Sequence, residues 1–158
     1  VKGVPPLLKN TLLLLTLLTI YFIKIPWAST LVSDYPSGPD EAEIKSIVVS
    51  AVEDTRWFQA GTRQEVRQLL ALYYGEPLLS ELSNSVWNFI SVPTDWHYET
   101  RPGQFTMLGQ SGNQAAVQVE IVETDVLSGY SIVFNVEYLL VKDNRDWKIV
   151  TITAGNAP

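Results

Sequence analysis

Tyr130-Ser-Ile-Val-Phe-Asn-Val-Glu-Tyr-Leu-Leu-Val-Lys-Asp-Asn-Arg-Asp-Trp-Lys-Ile-Val150 is the stretch that decides the fold class. Successive side chains of a strand point to opposite faces. On that period Tyr130, Ile132, Phe134, Val136, Tyr138 and Leu140 share one face, and Ser131, Asn135 and Glu137 share the other with Val133, Leu139 and Val141. Asp143-Asn144 is a polar turn, and Trp147 to Thr153 forms a closing strand rich in β-branched residues.

Upstream, Trp96 to Glu99, Phe105 to Leu108 and Ala115 to Glu123 have the same aromatic and β-branched character. Pro102-Gly103, Ser111-Gly112-Asn113 and Ser128-Gly129 separate the strands, which makes five in all. Before Pro93 the apolar period is helical. Pro39 suits a first helical turn, with Asp40, Glu41 and Glu43 at its positive end. Ile44, Ile47, Val48, Ala51 and Val52 make its apolar stripe. Thr62-Arg63-Gln64-Glu65 is a capping box opening a second helix faced by Val66, Leu69, Leu70 and Tyr73 and closed by Gly75. Glu76-Pro77 restarts the chain into a third helical stretch with Leu78, Leu79, Leu82, Val86 and Phe89. Three helices followed by an antiparallel meander predict an α+β domain in which the helices cover one side of a curved antiparallel sheet. Trp147, Ile149, Tyr138, Phe134 and Leu70 are expected in its core.

The N-terminus is of another kind. Residues 11 to 32 are apolar apart from Lys24 and Pro26, and all 17 acidic residues lie beyond position 33. Twenty-two residues at about 1.5 Å each span a hydrocarbon core of roughly 30 Å. The expected anchor comprises Leu12, Leu13, Leu14, Leu15, Leu17, Leu18, Ile20, Tyr21, Phe22, Ile23 and Trp27, with Tyr21 and Trp27 as interfacial aromatics and Lys24 snorkelling outward. Lys2 and Lys9 put the short tail in the cytoplasm or stroma and export the remainder. A leader cut near Ala28-Ser29 is the competing reading. The organisation expected is tail and anchor over 1–32, a linker over 33–39 that Pro36, Gly38 and Pro39 keep from being helical, and an exported domain over 40–158.

From residue 33 onward the charge is 8 minus 17, or −9. Such a surface repels nucleic acid and anionic lipid headgroups. The absence of cysteine removes disulfides, thiolate metal sites and cysteine nucleophiles together.

The ending Tyr138-Leu-Leu-Val-Lys-Asp-Asn-Arg-Asp-Trp-Lys-Ile-Val150 resembles the terminal hairpin of the nuclear transport factor two-like superfamily. Within it the chain is similar to the intermembrane-space domain of chloroplast-division proteins and their cyanobacterial relatives. The likeness is carried by Gly75-Glu-Pro-Leu-Leu-Ser80, Asp95-Trp-His-Tyr-Glu99, Gln114-Ala-Ala-Val-Gln-Val-Glu120 with Glu123, Tyr130 and Trp147-Lys-Ile149. It covers roughly residues 40 to 154 and implies a cone-shaped fold, while its motifs are structural. The layout also resembles bitopic inner-membrane subunits of type IV secretion systems.

Members of the superfamily similar to ketosteroid isomerase hold a carboxylate or histidine base in an apolar pocket beside a donor such as tyrosine. That chemistry needs an inward acid or base. His97 alternates with Trp96 and Tyr98 and is expected to face outward with Glu99. Asp95 is expected to cap a turn, and Glu120 and Glu137 to lie on the solvent face. Tyr130 and Tyr138 could reach a cavity, but packing against the helices explains both. On this register no acid/base pair points inward, so no catalytic residue is expected. With one histidine and no calcium-loop spacing, no metal or other cofactor is expected either. Trp57, Phe58 and Trp87 are the aromatics most open to an interface role. The expectation is a non-catalytic accessory, assembly or docking subunit. Its partners are integral membrane proteins of a larger complex and, through the anchor, the bilayer; no nucleic acid or small-molecule ligand is expected. A small-ligand-binding or isomerase-like enzyme is the alternative.

Overall fold

The computed structural model describes residues 40–93, 95–144 and 146–155. The expected anchor, the linker and their boundary with the domain lie outside the described residues, among which no helix is long and apolar enough to cross a membrane.

Helix α1 (Glu41–Glu53) begins where the Asp40 carbonyl accepts the Ile44 amide at 2.8 Å. Its Ile44, Val48 and Ala51 form one buried stripe. A short 3-10 helix (Arg56–Gln59) leads to α2 (Arg63–Leu70). Thr62 caps α2 by accepting the Glu65 amide at 3.1 Å, and the Glu65 carboxylate accepts the amide of Gly61 at 2.9 Å. The box thus reaches one residue further back than its usual form. Helix α3 spans Leu78–Ile90.

The second helix is shorter than expected. Tyr73 and Gly75 leave it to join the sheet: the Ile149 amide donates to the Tyr73 carbonyl and the Gly75 amide to the Ile149 carbonyl, both at 2.9 Å. A Cβ on Gly75 would stand 3.2 Å from Lys148 Cβ and 3.3 Å from Val150 Cγ1, so glycine serves this close approach rather than a helix cap.

Among the described residues the sheet has four strands in the order β1-β2-β3-β4, each pairing antiparallel with the next: β1 (Tyr98–Ser111), β2 (Gln114–Asp125), β3 (Ser131–Asp143) and β4 (Asp146–Ala154). Five strands were expected, but the Phe105 stretch continues the strand that Tyr98 opens. Pro102-Gly103 makes a register shift inside β1 instead of a turn. An edge strand tolerates this, because the missing proline N–H can face away from the ladder. Gly103 also makes room for Glu120, whose Oε1 would lie 2.5 Å from an added Cβ.

The inner face carries Ala115, Val117, Val119 and Ile121 of β2, Val136, Tyr138 and Leu140 of β3, and Trp147 and Ile149 of β4. All are buried against the α1 stripe. A second cluster joins Val66, Leu70, Leu79 and Val86 between α2 and α3. Of the expected core residues, Trp147, Ile149, Tyr138 and Leu70 are buried. Phe134 is only partly so: it lies toward the start of β3 and packs against the margin of the inner-face cluster.

The position of residue 40 gives the sheet two distinct ends. Asp40 accepts from Gln110 Nε2 at 3.1 Å and from Lys142 Nζ at 2.9 Å, which fixes the start of α1 beside the β1–β2 and β3–β4 turns. From there β2 runs 12 residues, about 35 Å at strand rise, to the β2–β3 turn.

Candidate functional site at the far end of the sheet

The buried row of β2 does not stop at Ile121. Glu123 and Asp125 continue the same parity and are 4% and 5% exposed, opposite Thr100 and Tyr98 of β1. The expectation that no acid/base pair points inward did not take in these two residues, whose carboxyl groups are both on the buried face. The alternation that buried Val117 and Val119 was sound, and it runs two steps further because β2 pairs with β3 without a bulge as far as Thr124.

The two carboxyls are driven in opposite directions. Glu123 Oε2 is buried with no hydrogen-bond partner among the described residues, and burial pushes its carboxyl above the usual range. Burial pushes Asp125 up as well. There, however, the amides of Leu127 (2.8 Å) and Ser128 (3.2 Å) donate to Oδ1, and with the nearby His97 they outweigh it and hold the group below its ordinary value. Asp125 is thereby the acceptor that shapes the β2–β3 turn, closed by Gly129 at φ 71°. The Tyr98 phenol is raised by burial and by the negative charge of Asp125 and Glu123. A raised carboxyl, a fixed anion and a phenol on one face could hold a cation or relay a proton.

His97 does not face away from this group. It precedes β1, so strand alternation does not govern it. Its ring is half-buried and stacks on Tyr98 at 4.8 Å, while Nδ1 lies 2.9 Å from the Asp95 carbonyl. Asp95 is exposed and contributes that backbone oxygen. Glu99 is exposed and pairs with Arg101 at 2.9 Å.

Behind the histidine lies an aromatic cluster built from three separate segments. Trp57 stacks on Phe58 at 3.9 Å; Phe58 lies 6.0 Å from Phe89 and 5.9 Å from Trp96; Trp96 lies 5.3 Å from Tyr98. The candidate interface residues Trp57 and Phe58 therefore belong to this end and are partly buried, and Trp87 packs partly buried against the α2–α3 cluster. Glu120 and Glu137 lie on the outer face. Tyr138 is in the core and its phenol is raised by burial, whereas Tyr130 sits in the turn, 63% exposed. Around Tyr130 the turn and the start of β3 also expose Leu127 (74%), Val126 and Val133. Among the described residues no group of three His, Cys, Asp or Glu side chains is arranged to hold a metal ion.

No family model and no curated protein matches the chain. Among solved structures it is similar to the intermembrane space region of chloroplast protein ARC6, at 13% identity and TM-score 0.45, over 72% of this chain and 96% of that one. It is also similar to the chain Rd1NTF2_05 with its substitutions, at 13% identity and TM-score 0.45, over 73% of this chain and 100% of that one. A de novo designed beta-sheet protein gives 18% identity and TM-score 0.43, over 73% and 88%. Each is a likeness of fold alone.

Proposed function

We propose that the chain is a non-catalytic docking or assembly subunit of a larger membrane complex, anchored by residues 11–32 and carrying an exported domain. The observation that carries this reading is the cluster of exposed Val126, Leu127, Tyr130 and Val133. It lies at the end of the sheet remote from residue 40, where the linker enters. An exposed apolar patch about 35 Å from residue 40 offers a partner a docking surface. The test is recovery of co-purifying integral membrane proteins in mild detergent. Leu127→Ser with Tyr130→Ser should lower recovery several-fold while leaving the circular dichroism unchanged; full recovery would move the docking surface elsewhere.

A second reading, small-ligand binding or isomerase-like catalysis, is favoured by one observation. Glu123 is a buried carboxyl without a partner, close enough to Tyr98 to raise its phenol, and a base beside a donor is what proton transfer at a carbonyl compound needs. Saturable binding of a small apolar ketone, lost in Glu123→Gln, would favour it over docking.

A further inference from the structure

We propose that the partner engages the far end of the sheet with a lysine or arginine side chain, whose cation pairs with the Glu123 carboxylate beside the Leu127 and Tyr130 patch. The inference rests on the docking reading above and names the chemistry of the partner.

Glu123 Oε2 is more than nine-tenths buried and unpartnered among the described residues. A buried oxygen left without a donor is unfavourable, and a group that supplies one from outside gains accordingly. Among the described residues the cations are engaged elsewhere, Arg63 with the Asn84 side chain and Lys45 over the Phe105 ring. Arg56 is paired with Asp54, Arg67 with Glu76, Arg101 with Glu99 and Lys142 with Asp40, and Lys148 donates to the carbonyls of Ala71 and Leu72. Asp125, two residues along on the same face, adds a fixed negative charge, and its turn holds Leu127 in place.

A cation suits this place better than a neutral donor. It answers two carboxyl groups at once, and the rings of Trp96 and Tyr98 stand at the same end of the sheet and can face a positive charge. With no group of three metal-ligating side chains among the described residues, the fitting cation is organic. The net charge of −9 beyond residue 33 draws a basic segment toward this domain before contact is made.

The full chain in detergent, with its glutamate carboxyls labelled for carbon NMR, is titrated with n-butylammonium and n-butylguanidinium against sodium at equal ionic strength. The expected result is a saturable fall of about one pH unit in the Glu123 midpoint, with Tyr98 resonances that move in step and stay still in Glu123→Gln. A shift that does not saturate, or that sodium reproduces, is screening and overturns the proposal. In the co-purified complex, Glu123→Gln should lower partner retention about tenfold at low salt, a factor that shrinks as salt rises. If Leu127→Ser with Tyr130→Ser weakens retention and Glu123→Gln does not, cation pairing is wrong and docking stands. If neither does, both fall.

Discussion

Nε2 of His97 stands 3.7 Å from Oδ1 of Asp125, and the backbone carbonyl of the same histidine accepts the amide of Val126 at 2.9 Å. The segment that leads into β1 is therefore fastened to the β2–β3 turn by a backbone hydrogen bond, with the histidine ring lying beside the Asp125 carboxylate. This joint binds the aromatic cluster of Trp96, Phe89 and Phe58 to the turn that exposes Leu127 and Tyr130. The features of interest come from the 3-10 helix, α3, β1 and β2, yet they meet at one end of the sheet.

Asp125 is the acceptor on which that joint depends. Asp125→Ala removes the oxygen that takes the Leu127 and Ser128 amides, and is expected to cost about 1–3 kcal/mol. Asp125→Asn retains an oxygen at the same place and should cost less. Urea denaturation of the three proteins measures the order, and equal stabilities would mean that the turn stands without its acceptor.

Glu123 should make stability fall as pH rises. Its folded pKa is raised above the unfolded value, so between the two the native state binds more protons than the unfolded one, and the slope of unfolding free energy with pH is negative. The effect begins near the unfolded value of about 4.3 and ends above the folded one. Glu123→Gln carries no charge in either state, so its melting temperature should show a smaller decline across that window. Parallel curves for the two proteins would remove the burial argument.

Asp54 acts with the opposite sign. Hydrogen bonding to Arg56 holds its carboxyl at about 2, and Tyr73 donates to Oδ2 at 3.0 Å. A depressed folded pKa contributes stability above the unfolded value near 3.9 and loses it as pH falls toward 2. Because Arg56 is exposed, the contribution is discounted to about 1 kcal/mol. Asp54→Asn should therefore be less stable than the native chain at pH 7 and nearly equal to it at pH 2, as read by thermal melts.

The fold was legible where one physical signal dominates. The alternation in Tyr130 to Leu140 assigned the buried face of β3 correctly, since Val136, Tyr138 and Leu140 are buried and Glu137 is not. Pro102-Gly103 misled because a turn dipeptide and an edge-strand irregularity have the same composition; only the partner strand distinguishes them. The candidate site was half legible. The parity of Ala115, Val117, Val119 and Ile121 extends to Glu123 and Asp125, and following it two further steps would have found both. His97 could not be placed by alternation, because the strand begins one residue after it. The same reasoning refines the core: Ile149→Ala should cost about 2–5 kcal/mol, and Phe134→Ala, at a partly buried site, should fall below the usual range of about 3–5 kcal/mol.

The proposed sidedness of the chain rests on charge alone. Lys2 and Lys9 precede the apolar stretch, no acidic residue does, and a positively charged flank stays on the cytoplasmic side of a membrane. Under the proposed anchoring by residues 11–32, the domain that begins at Asp40 is expected on the far side. In sealed membrane vesicles, protease added on the side of Lys2 and Lys9 should leave residues 40–155 intact, and permeabilisation should make the exposed β2–β3 turn cleavable. A domain digested before permeabilisation would invert the orientation, and would bring the far end to face proteins of the cytoplasmic or stromal side.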